Sequence, residues 1–341
     1  MKDDYNYLKS TQSLLNKGKL DYCTSSNYDE NLAKYFPSLC SEDVFNLSAH
    51  YPCLGEQKLE RLIKNKLKLQ KIAMGAGSED LIVRICQIIK NNNWKTGVVV
   101  PTFYRIIDNL ADYTVIPNKN FNIIDYRIFD IVWIVNPNPL TGKYTPKALI
   151  KLILKKNPRT MFVVDETEIF FLENWSKASL LNNCSECSNL LVITSFSKFH
   201  NVPGLRVGFA AGNKSFVLKL ISRGPTFPIS NLSRYITEKV ITNIPFKKVR
   251  AEINKNKEEV ERLLLSNSNI EIRHSDINCV FCRLKNRKNF YKKLLEIGII
   301  GLNLDTQVGA DKMGWVRLTI HSSPIKHKNL VGRLKKLNNY I

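Results

Sequence analysis

Residues 190–212, "LLVITSFSKFHNVPGLRVGFAAG", contain two apolar runs separated by a polar connection. Both runs are short and mostly apolar, which is typical of strands buried on both faces. The connection carries Lys198 and a Pro203–Gly204 turn, and Arg206 follows the turn. Charged side chains next to buried strands are costly unless they have partners. The stretch therefore predicts both a sheet and a functional site at the ends of its strands.

Similar apolar runs occur upstream, and helix candidates separate them. The runs are "KIAMG", "GVVVP", "DIVWIVNP" and "MFVVDE". The helix candidate "SEDLIVRICQIIKNN" begins at Ser78, a good N-cap. A second candidate, "TPKALIKLILKKN", begins at Thr145 with Pro146 at its first helical position. Strands that alternate with helices predict an α/β fold with a mostly parallel sheet covered on both faces.

The pattern changes after about residue 230. A long charged helix is predicted over "KKVRAEINKNKEEVERLLL", followed by the strands "INCVFCRL" and "GWVRLTI" and by two helices, "NFYKKLLEIG" and "IKHKNLVGRLKKL". The first fifty residues have weak periodicity. We expect an N-terminal arm over residues 1–45, a large domain over 46–235, and a linking helix with a small α+β domain over 236–341.

The net charge of +21, from 51 basic and 30 acidic residues, raises the question of a nucleic-acid partner. The basic residues are scattered at spacings typical of solvated helix faces. The chain is also rich in Asn and Ile, whose codons, like those of Lys, can be A/T-rich. Compositional bias is therefore favoured over nucleic-acid binding, and an anionic small-molecule substrate stays open.

The N-terminal segment "MKDDYNYLKS" has no apolar signal core, and the apolar runs are too short to span a bilayer. We expect a cytoplasmic protein with no membrane partner. The pairs Cys184/Cys187 and Cys279/Cys282 have the C-x-x-C spacing of zinc sites. The second pair lies in a predicted strand, where residues three apart face opposite sides, so no metal is expected.

Polar residues collect where the predicted strands end, which is where open α/β sheets bind ligands. Gly77 opens a helix whose free N–H groups can hold a phosphate. Asp165 ends one strand, and the Asn138 amide lies in the turn after another. A lysine in a cleft can lose its proton and form a Schiff base with a carbonyl compound, as Lys198 could. The fork of Arg206 suits phosphate.

This combination resembles a known superfamily. The motif S-x-S-K, then P-G-L-R-x-G, occurs in order with "GAGSEDLI", "PTF", "NPNPLTG" and "VVDE". It is similar to the fold-type-I pyridoxal-phosphate enzymes of the class I/II aminotransferase superfamily, in the histidinol-phosphate aminotransferase and threonine-phosphate decarboxylase branch. The resemblance runs from about residue 20 to the end. It implies a large domain with a mostly parallel seven-stranded sheet, pyridoxal 5'-phosphate as cofactor, and a homodimer with shared active sites.

The resemblance also implies residue roles. Lys198 would form the Schiff base with the cofactor and transfer protons, and Asp165 would pair with the pyridinium nitrogen. Asn138 would bind the ring 3-oxygen, and Phe103 would stack on the ring. Arg317, in "WVRLTI", would grip the substrate α-carboxylate. The cofactor phosphate would be held by Gly77, Ser78, Glu79, Ser195, Ser197 and Arg206, and by Tyr51 across the dimer interface.

Departures from the family pattern concern the substrate. The turn reads "NPNPLTG" where the family has N-P-N-N-P-T-G. Glu168 stands where the family carries a tyrosine or phenylalanine, and its carboxylate faces either the ring or solvent. Leu302 and Asn303 stand near the place of the arginine that binds a substrate phosphate, and "TSSNYDEN" replaces the usual "NENPYG" loop. The substrate is therefore an α-amino acid or a phosphorylated amino compound.

Besides the nucleic-acid binding raised by the net charge, three functions remain in view. We expect a pyridoxal-phosphate-dependent aminotransferase that acts through Lys198. The alternative is an amino-acid decarboxylase of the threonine-phosphate type, since the two reactions differ only in which Cα bond lies perpendicular to the ring. The third is a binding module without turnover, which the intact Lys198, Asp165 and Arg206 argue against.

Overall fold

The computed structural model describes residues 12–286 and 289–339, so the segment "MKDDYNYLKS" lies outside the described residues. Two compact units are present. The large unit comprises Leu32–Asn138 and Tyr144–Pro245. The small unit comprises the described residues up to Asn31, the segment Pro139–Lys143, and those from Phe246 onward. The domain boundaries predicted from the sequence stay a prediction.

The strands and the helices are each numbered along the chain. The strands are β1 (Leu20–Asp21), β2 (Ile72–Ala76), β3 (Thr96–Val100), β4 (Thr114–Pro117), β5 (Ile131–Val135), β6 (Met161–Asp165), β7 (Leu190–Ser195), β8 (Val207–Gly212), β9 (Ile270–Arg273), β10 (Cys279–Leu284), β11 (Ile299–Ile300), β12 (Leu302–Asn303) and β13 (Val316–Thr319). The helices are α1 (Ser41–Ala49), α2 (Lys58–Leu67), α3 (Gly77–Asn91), α4 (Tyr104–Asn109), α5 (Lys147–Lys156), α6 (Trp175–Ala178), α7 (Lys214–Ser222), α8 (Asn231–Asn243), α9 (Phe246–Leu265), α10 (Phe290–Glu296) and α11 (Pro324–Leu334).

The large unit is built on a seven-stranded sheet in the order β2-β8-β7-β6-β5-β3-β4. Strand β8 runs antiparallel to both of its neighbours, and the other pairs are parallel. The central strands are buried throughout because helices cover both faces, and Trp133 and Leu191 belong to the core. The predicted fold class, a mostly parallel seven-stranded sheet flanked by helices, is confirmed.

Two helix starts differ from the prediction. Helix α3 begins at Gly77 with Ala76 as its N-cap, so Ser78 lies inside the first turn. No side chain caps the first turn, and the Asp80 Oδ2 instead accepts a hydrogen bond from the N–H of Ala76 at 2.8 Å. Helix α5 begins at Lys147, which makes Pro146 the N-cap instead of the first helical residue. Both shifts move a boundary and leave the predicted helix in place.

The small unit contains an antiparallel sheet in the order β12-β13-β10-β9, and the predicted long helix is α9. The N-terminal segment is part of this unit, because β1 pairs in parallel with β11. The Tyr22 side chain is 1% exposed, and its carbonyl accepts a hydrogen bond from the Thr319 N–H at 2.8 Å. Residues 20–31, predicted as an arm, therefore add to the core of the small unit.

None of the helices within residues 12–286 and 289–339 combines the length and apolar character that a membrane span requires. The cytoplasmic location expected from the sequence stays a prediction.

Candidate active site

Asp165 is the last residue of β6, and Lys198 follows the neighbouring parallel strand β7, so both lie at the same edge of the large sheet. The Asp165 side chain is buried, and its Oδ1 accepts a hydrogen bond from the Thr167 N–H at 2.9 Å. Burial raises the pKa of Asp165, while that hydrogen bond and the positive charge of Lys198 oppose the rise. Lys198 is half-buried, and its positive charge is close enough to Asp165 to affect the pKa of that carboxyl group.

Ser195 and Ser197 are both buried at the end of β7, and the Ser197 N–H donates to the Ser195 Oγ at 3.4 Å. Ser195 pairs with Gly208 across the β7–β8 ladder. A Cβ on Gly208 would stand 2.7 Å from the carbonyl carbon of Gly77. Gly208 therefore lets the start of α3 lie directly beside the two serines. Gly208 is the last residue of the motif P-G-L-R-x-G, and the motif alone does not indicate this close approach.

Gly77 and Arg206 meet at the N-terminus of α3. Gly77 has a φ of +79°, and a Cβ there would stand 2.6 Å from the Arg206 Nη2. Arg206 itself has a φ of 52°, and its guanidinium donates to the Pro203 carbonyl at 3.1 Å and the Ala76 carbonyl at 3.4 Å. An arginine fork beside free helix N–H groups forms an anion site.

The next two residues of α3 belong to its first turn, which places their backbone N–H groups at the same helix end. Ser78 is half-buried. The Glu79 carboxylate forms an ion pair with Arg105 at 2.7 Å. Glu79 can therefore contact an anion only through its backbone N–H, because its carboxylate would repel the anion.

The turn after β5 contains two asparagines with different environments. Asn136 is 1% exposed, and its amide exchanges hydrogen bonds with the Thr145 backbone at 2.7 and 2.9 Å. Asn138 is half-buried and donates to the Pro101 carbonyl at 2.6 Å, two residues before Phe103. Asn136 therefore fixes the turn, and Asn138 lies beside the segment that carries the predicted ring-stacking residue.

Tyr51 and Glu168 lie in contrasting environments. The Tyr51 side chain is 84% exposed and stacks on Phe227 at a centroid distance of 5.4 Å. Apart from this ring contact, most of the Tyr51 side chain is uncovered in the described structure. Glu168 is 3% exposed, so the interpretation in which its carboxylate faces solvent is wrong.

Arg317 lies on β13 of the small unit and is 5% exposed. Its Nη1 donates to the Pro139 carbonyl at 3.0 Å, and its Nη2 donates to the Cys23 carbonyl. Its Nε–H has no hydrogen-bond partner among the described residues. Backbone carbonyls therefore fix the orientation of this guanidinium, and each terminal nitrogen keeps a second N–H.

Glu166, next to Asp165, is a buried residue to which the sequence pattern assigns no role. Its carboxylate accepts hydrogen bonds from the Ser179 hydroxyl and, at 2.8 Å, from the Leu180 N–H. Burial raises its pKa to about 7. The signal was present in the sequence, because an acidic pair closes the apolar run "MFVVDE". Glu166 ties residues 179–180 to the strand end that carries Asp165.

The fold is that of fold-type-I pyridoxal-phosphate enzymes. Histidinol-phosphate aminotransferase from Sinorhizobium meliloti in complex with pyridoxal-5'-phosphate matches with a TM-score of 0.79 at 14% identity, over 96% of this chain and 94% of that chain. L-threonine-O-3-phosphate decarboxylase from Porphyromonas gingivalis matches with a TM-score of 0.76 at 20% identity, over 94% of this chain and 99% of that chain.

Residues 48–334 match the family described as aminotransferase class I and II, and the chain belongs to that family. Histidinol-phosphate aminotransferase from Pelagibacter ubique (strain HTCC1062) is 28% identical over 300 residues, which cover 81% of this chain and 81% of that protein. The predicted resemblance and the predicted enzyme class are thus confirmed. The residue roles stay predictions.

Proposed function

We propose that this chain is a pyridoxal-phosphate-dependent aminotransferase that acts on an α-amino acid or a phosphorylated amino compound through Lys198. The observation that carries the proposal is the proximity of the Lys198 charge to the buried Asp165 at one sheet edge. The anion site of Arg206 and the α3 N-terminus lies at the same edge. Membership of the aminotransferase family supports the same reaction class.

The chemistry of these residues fits pyridoxal phosphate. Because Gly77 has no side chain, the Arg206 guanidinium packs directly against the start of α3, and the fork beside the helix N–H groups suits a phosphate. The Asp165 carboxylate is buried in surroundings that disfavour its charge, and a protonated ring nitrogen would supply the missing cation. The Lys198 amine is the group that reacts with an aldehyde. When bound, the cofactor supplies an electron sink for the bonds at the substrate Cα.

In the proposal, the residues of the site have the following roles. Lys198 holds the cofactor covalently and moves a proton at the substrate Cα. Asp165 keeps the ring nitrogen protonated, Asn138 donates to the ring 3-oxygen, and Phe103 packs against the ring. Arg317 binds the substrate α-carboxylate through the guanidinium N–H groups that are not hydrogen-bonded to the carbonyls of Pro139 and Cys23. The phosphate is held by Gly77, Ser78, Glu79, Ser195, Ser197 and Arg206.

The test begins with the purified protein and added pyridoxal phosphate. We expect a visible absorbance band that borohydride reduction abolishes while it fixes the cofactor covalently to the chain, and Lys198→Ala should abolish both this fixation and turnover. Lys214→Ala, which removes an exposed lysine outside the proposed site, is the matched control. A wild-type protein that stays colourless would overturn the proposal.

A second assay separates transamination from decarboxylation. Amino acids and phosphoamino acids are supplied with 2-oxoglutarate, and keto acid and carbon dioxide are both followed. We expect keto acid only in the presence of the acceptor. Carbon dioxide released without an acceptor would show the decarboxylase alternative instead.

We further propose that the enzyme is a homodimer with shared active sites. Helix α1 has no buried residue of its own, and its Phe45 is 68% exposed. Tyr51 and Leu54, shortly after the helix, are 84% and 79% exposed. A cluster of exposed aromatic and aliphatic side chains is typical of a surface that another chain covers.

A further inference from the structure

Two segments carry the proposed pair of catalytic residues: an aspartate segment, residues 165–171, and a lysine segment, residues 196–200. Asp165 still belongs to β6, where it pairs with the strands on both sides. Strand β7 ends at Ser195, and Lys198 lies beyond it. The sheet therefore fixes Asp165 directly, whereas the position of Lys198 depends on what the lysine segment packs against.

Aromatic rings join the two segments to each other. The centroid of the His200 ring, in the lysine segment, lies 4.7 Å from that of the Phe170 ring, in the aspartate segment, at an interplanar angle of 78°. Phe199 and Phe171 form a second such pair, at 5.3 Å and 87°. Both pairs are edge-to-face, which is a favoured geometry for rings at these distances. Two side-chain contacts therefore hold the lysine segment against the residues that follow Asp165.

His200 connects most of this aromatic cluster. Its ring centroid also lies 4.9 Å from that of Phe196, at 74°, and 5.5 Å from that of Phe199, at 85°. The His200 side chain and its three phenylalanine partners are all buried. A buried ring that packs edge-to-face on three others has little freedom to move, and none of the three is assigned to the cofactor. These contacts therefore set the position of the lysine segment through packing.

We propose that His200 is a positioning residue for Lys198. Its ring contacts with Phe170 and Phe196 hold the lysine amine in a fixed place relative to Asp165, as a reaction with the cofactor carbonyl group requires. This inference rests on the proposed function, and it adds a residue that acts through the lysine segment instead of through a contact with cofactor or substrate. Another aromatic ring at position 200 should preserve the placement, whereas an aliphatic side chain of similar volume should not.

The test is the rate at which the cofactor-free protein captures pyridoxal phosphate. Stopped-flow absorbance follows the visible band, and mass spectrometry after borohydride reduction gives the covalently fixed fraction. We expect His200→Leu to capture the cofactor about tenfold more slowly, because the edge-to-face contacts are lost. His200→Phe retains a ring and should recover most of the wild-type rate. In turnover, His200→Leu should lower kcat and leave the substrate KM nearly unchanged, because Arg317 is not altered.

Two further variants separate positioning from a general loss of packing. Phe170→Leu removes the partner ring on the aspartate segment. Combined with His200→Leu, it should slow capture by less than the product of the two single effects, because both changes break the same contact. His321→Leu is the matched control, since His321 is also buried and its ring lies 5.7 Å from that of Tyr22 in the small unit. This variant should lower the free energy of unfolding and leave the capture rate at the wild-type value.

The proposal fails if His200→Leu captures the cofactor at the wild-type rate, or if His200→Phe is as slow as His200→Leu, since the ring contacts would then not matter. If His200→Leu does not fold, Phe170→Leu decides alone, and a wild-type rate in that variant overturns the proposal. Failure of the proposed function would show in the wild type itself, which would form neither a visible band nor a fixed product, and the role of His200 would fall with it.

Discussion

Gly208 of β8 lies directly against Gly77, the first residue of α3. A Cβ on Gly208 would stand 2.7 Å from the Gly77 carbonyl carbon and 2.8 Å from the Ser78 nitrogen. Ser195, on the next strand, pairs with Gly208. The missing side chain therefore brings the N–H groups of the helix beside the serine hydroxyls, and so assembles the proposed phosphate site from three elements.

Gly208→Ala should disrupt that contact, since backbone atoms on both sides cannot yield as a flexible side chain can. We expect a loss of about 1–3 kcal/mol in the free energy of unfolding and weaker binding of pyridoxal phosphate. Urea denaturation and a fluorescence titration measure the two effects. The control is Gly332→Ala in α11, where a Cβ meets nothing within 4 Å and should stabilise by about 0.5–1 kcal/mol. Unchanged cofactor binding in Gly208→Ala would contradict the assembly.

Glu166 predicts a pH dependence of stability. Burial raises its pKa from 4.5 to about 7, so the folded protein holds this proton more tightly than the unfolded chain does. The resulting stabilisation is complete below pH 4.5 and is lost as the pH rises to 7. The wild type should therefore lose about 2–3 kcal/mol in its free energy of unfolding between pH 5 and pH 8, and Glu166→Gln, which has no carboxyl group at this position, should not show this loss.

Urea denaturation of the cofactor-free protein at the two pH values measures this difference. Glu186→Gln provides the comparison, because that carboxylate is exposed and its pKa is lowered by Asn183 and Lys151. Parallel stability profiles for the wild type and Glu166→Gln would show that Glu166 does not titrate in this range.

Arg317 allows its structural and substrate roles to be separated. Arg317→Leu leaves the Pro139 and Cys23 carbonyls without their donor, which should cost about 1–3 kcal/mol of stability for each buried group. If the guanidinium also binds the substrate carboxylate, kcat/KM should fall about 10²–10³-fold. Arg283→Leu, on the neighbouring strand, removes an ion pair with Glu271 at 2.8 Å and should affect stability alone. A normal KM in Arg317→Leu would leave only the structural role.

The large sheet could be predicted because its central strands are buried on both faces and therefore appear as continuous apolar runs. Strand β4 lacks this signal, since Thr114 and Val115 are exposed at the sheet edge, and it was missed. The pairing of Leu20 with Ile299 also could not be predicted from hydrophobic periodicity, because the two residues are far apart in the sequence. Local periodicity carries no information on such a partner.

The site residues at strand ends could be predicted from their residue types, whereas their geometry could not. Arg206 adopts a φ of 52°, which is uncommon for a residue other than glycine, and no pattern indicates it. The burial of Glu168 depends on the packing of residues around it. The close approach at Gly208 requires the positions of three separate elements.

The exposed Tyr51 predicts the outcome of a subunit-mixing experiment. If Tyr51 acts in the partner's site, Lys198→Ala and Tyr51→Ala should complement each other, because a hybrid dimer has one site with both residues intact. The two variants are co-expressed with different affinity tags, and the purified hybrid should show about half of the wild-type activity. Hybrids of Lys198→Ala with itself control for tag effects. If Tyr51 instead serves the site of its own chain, every site in the hybrid lacks one residue, and activity should stay at the level of the separate variants.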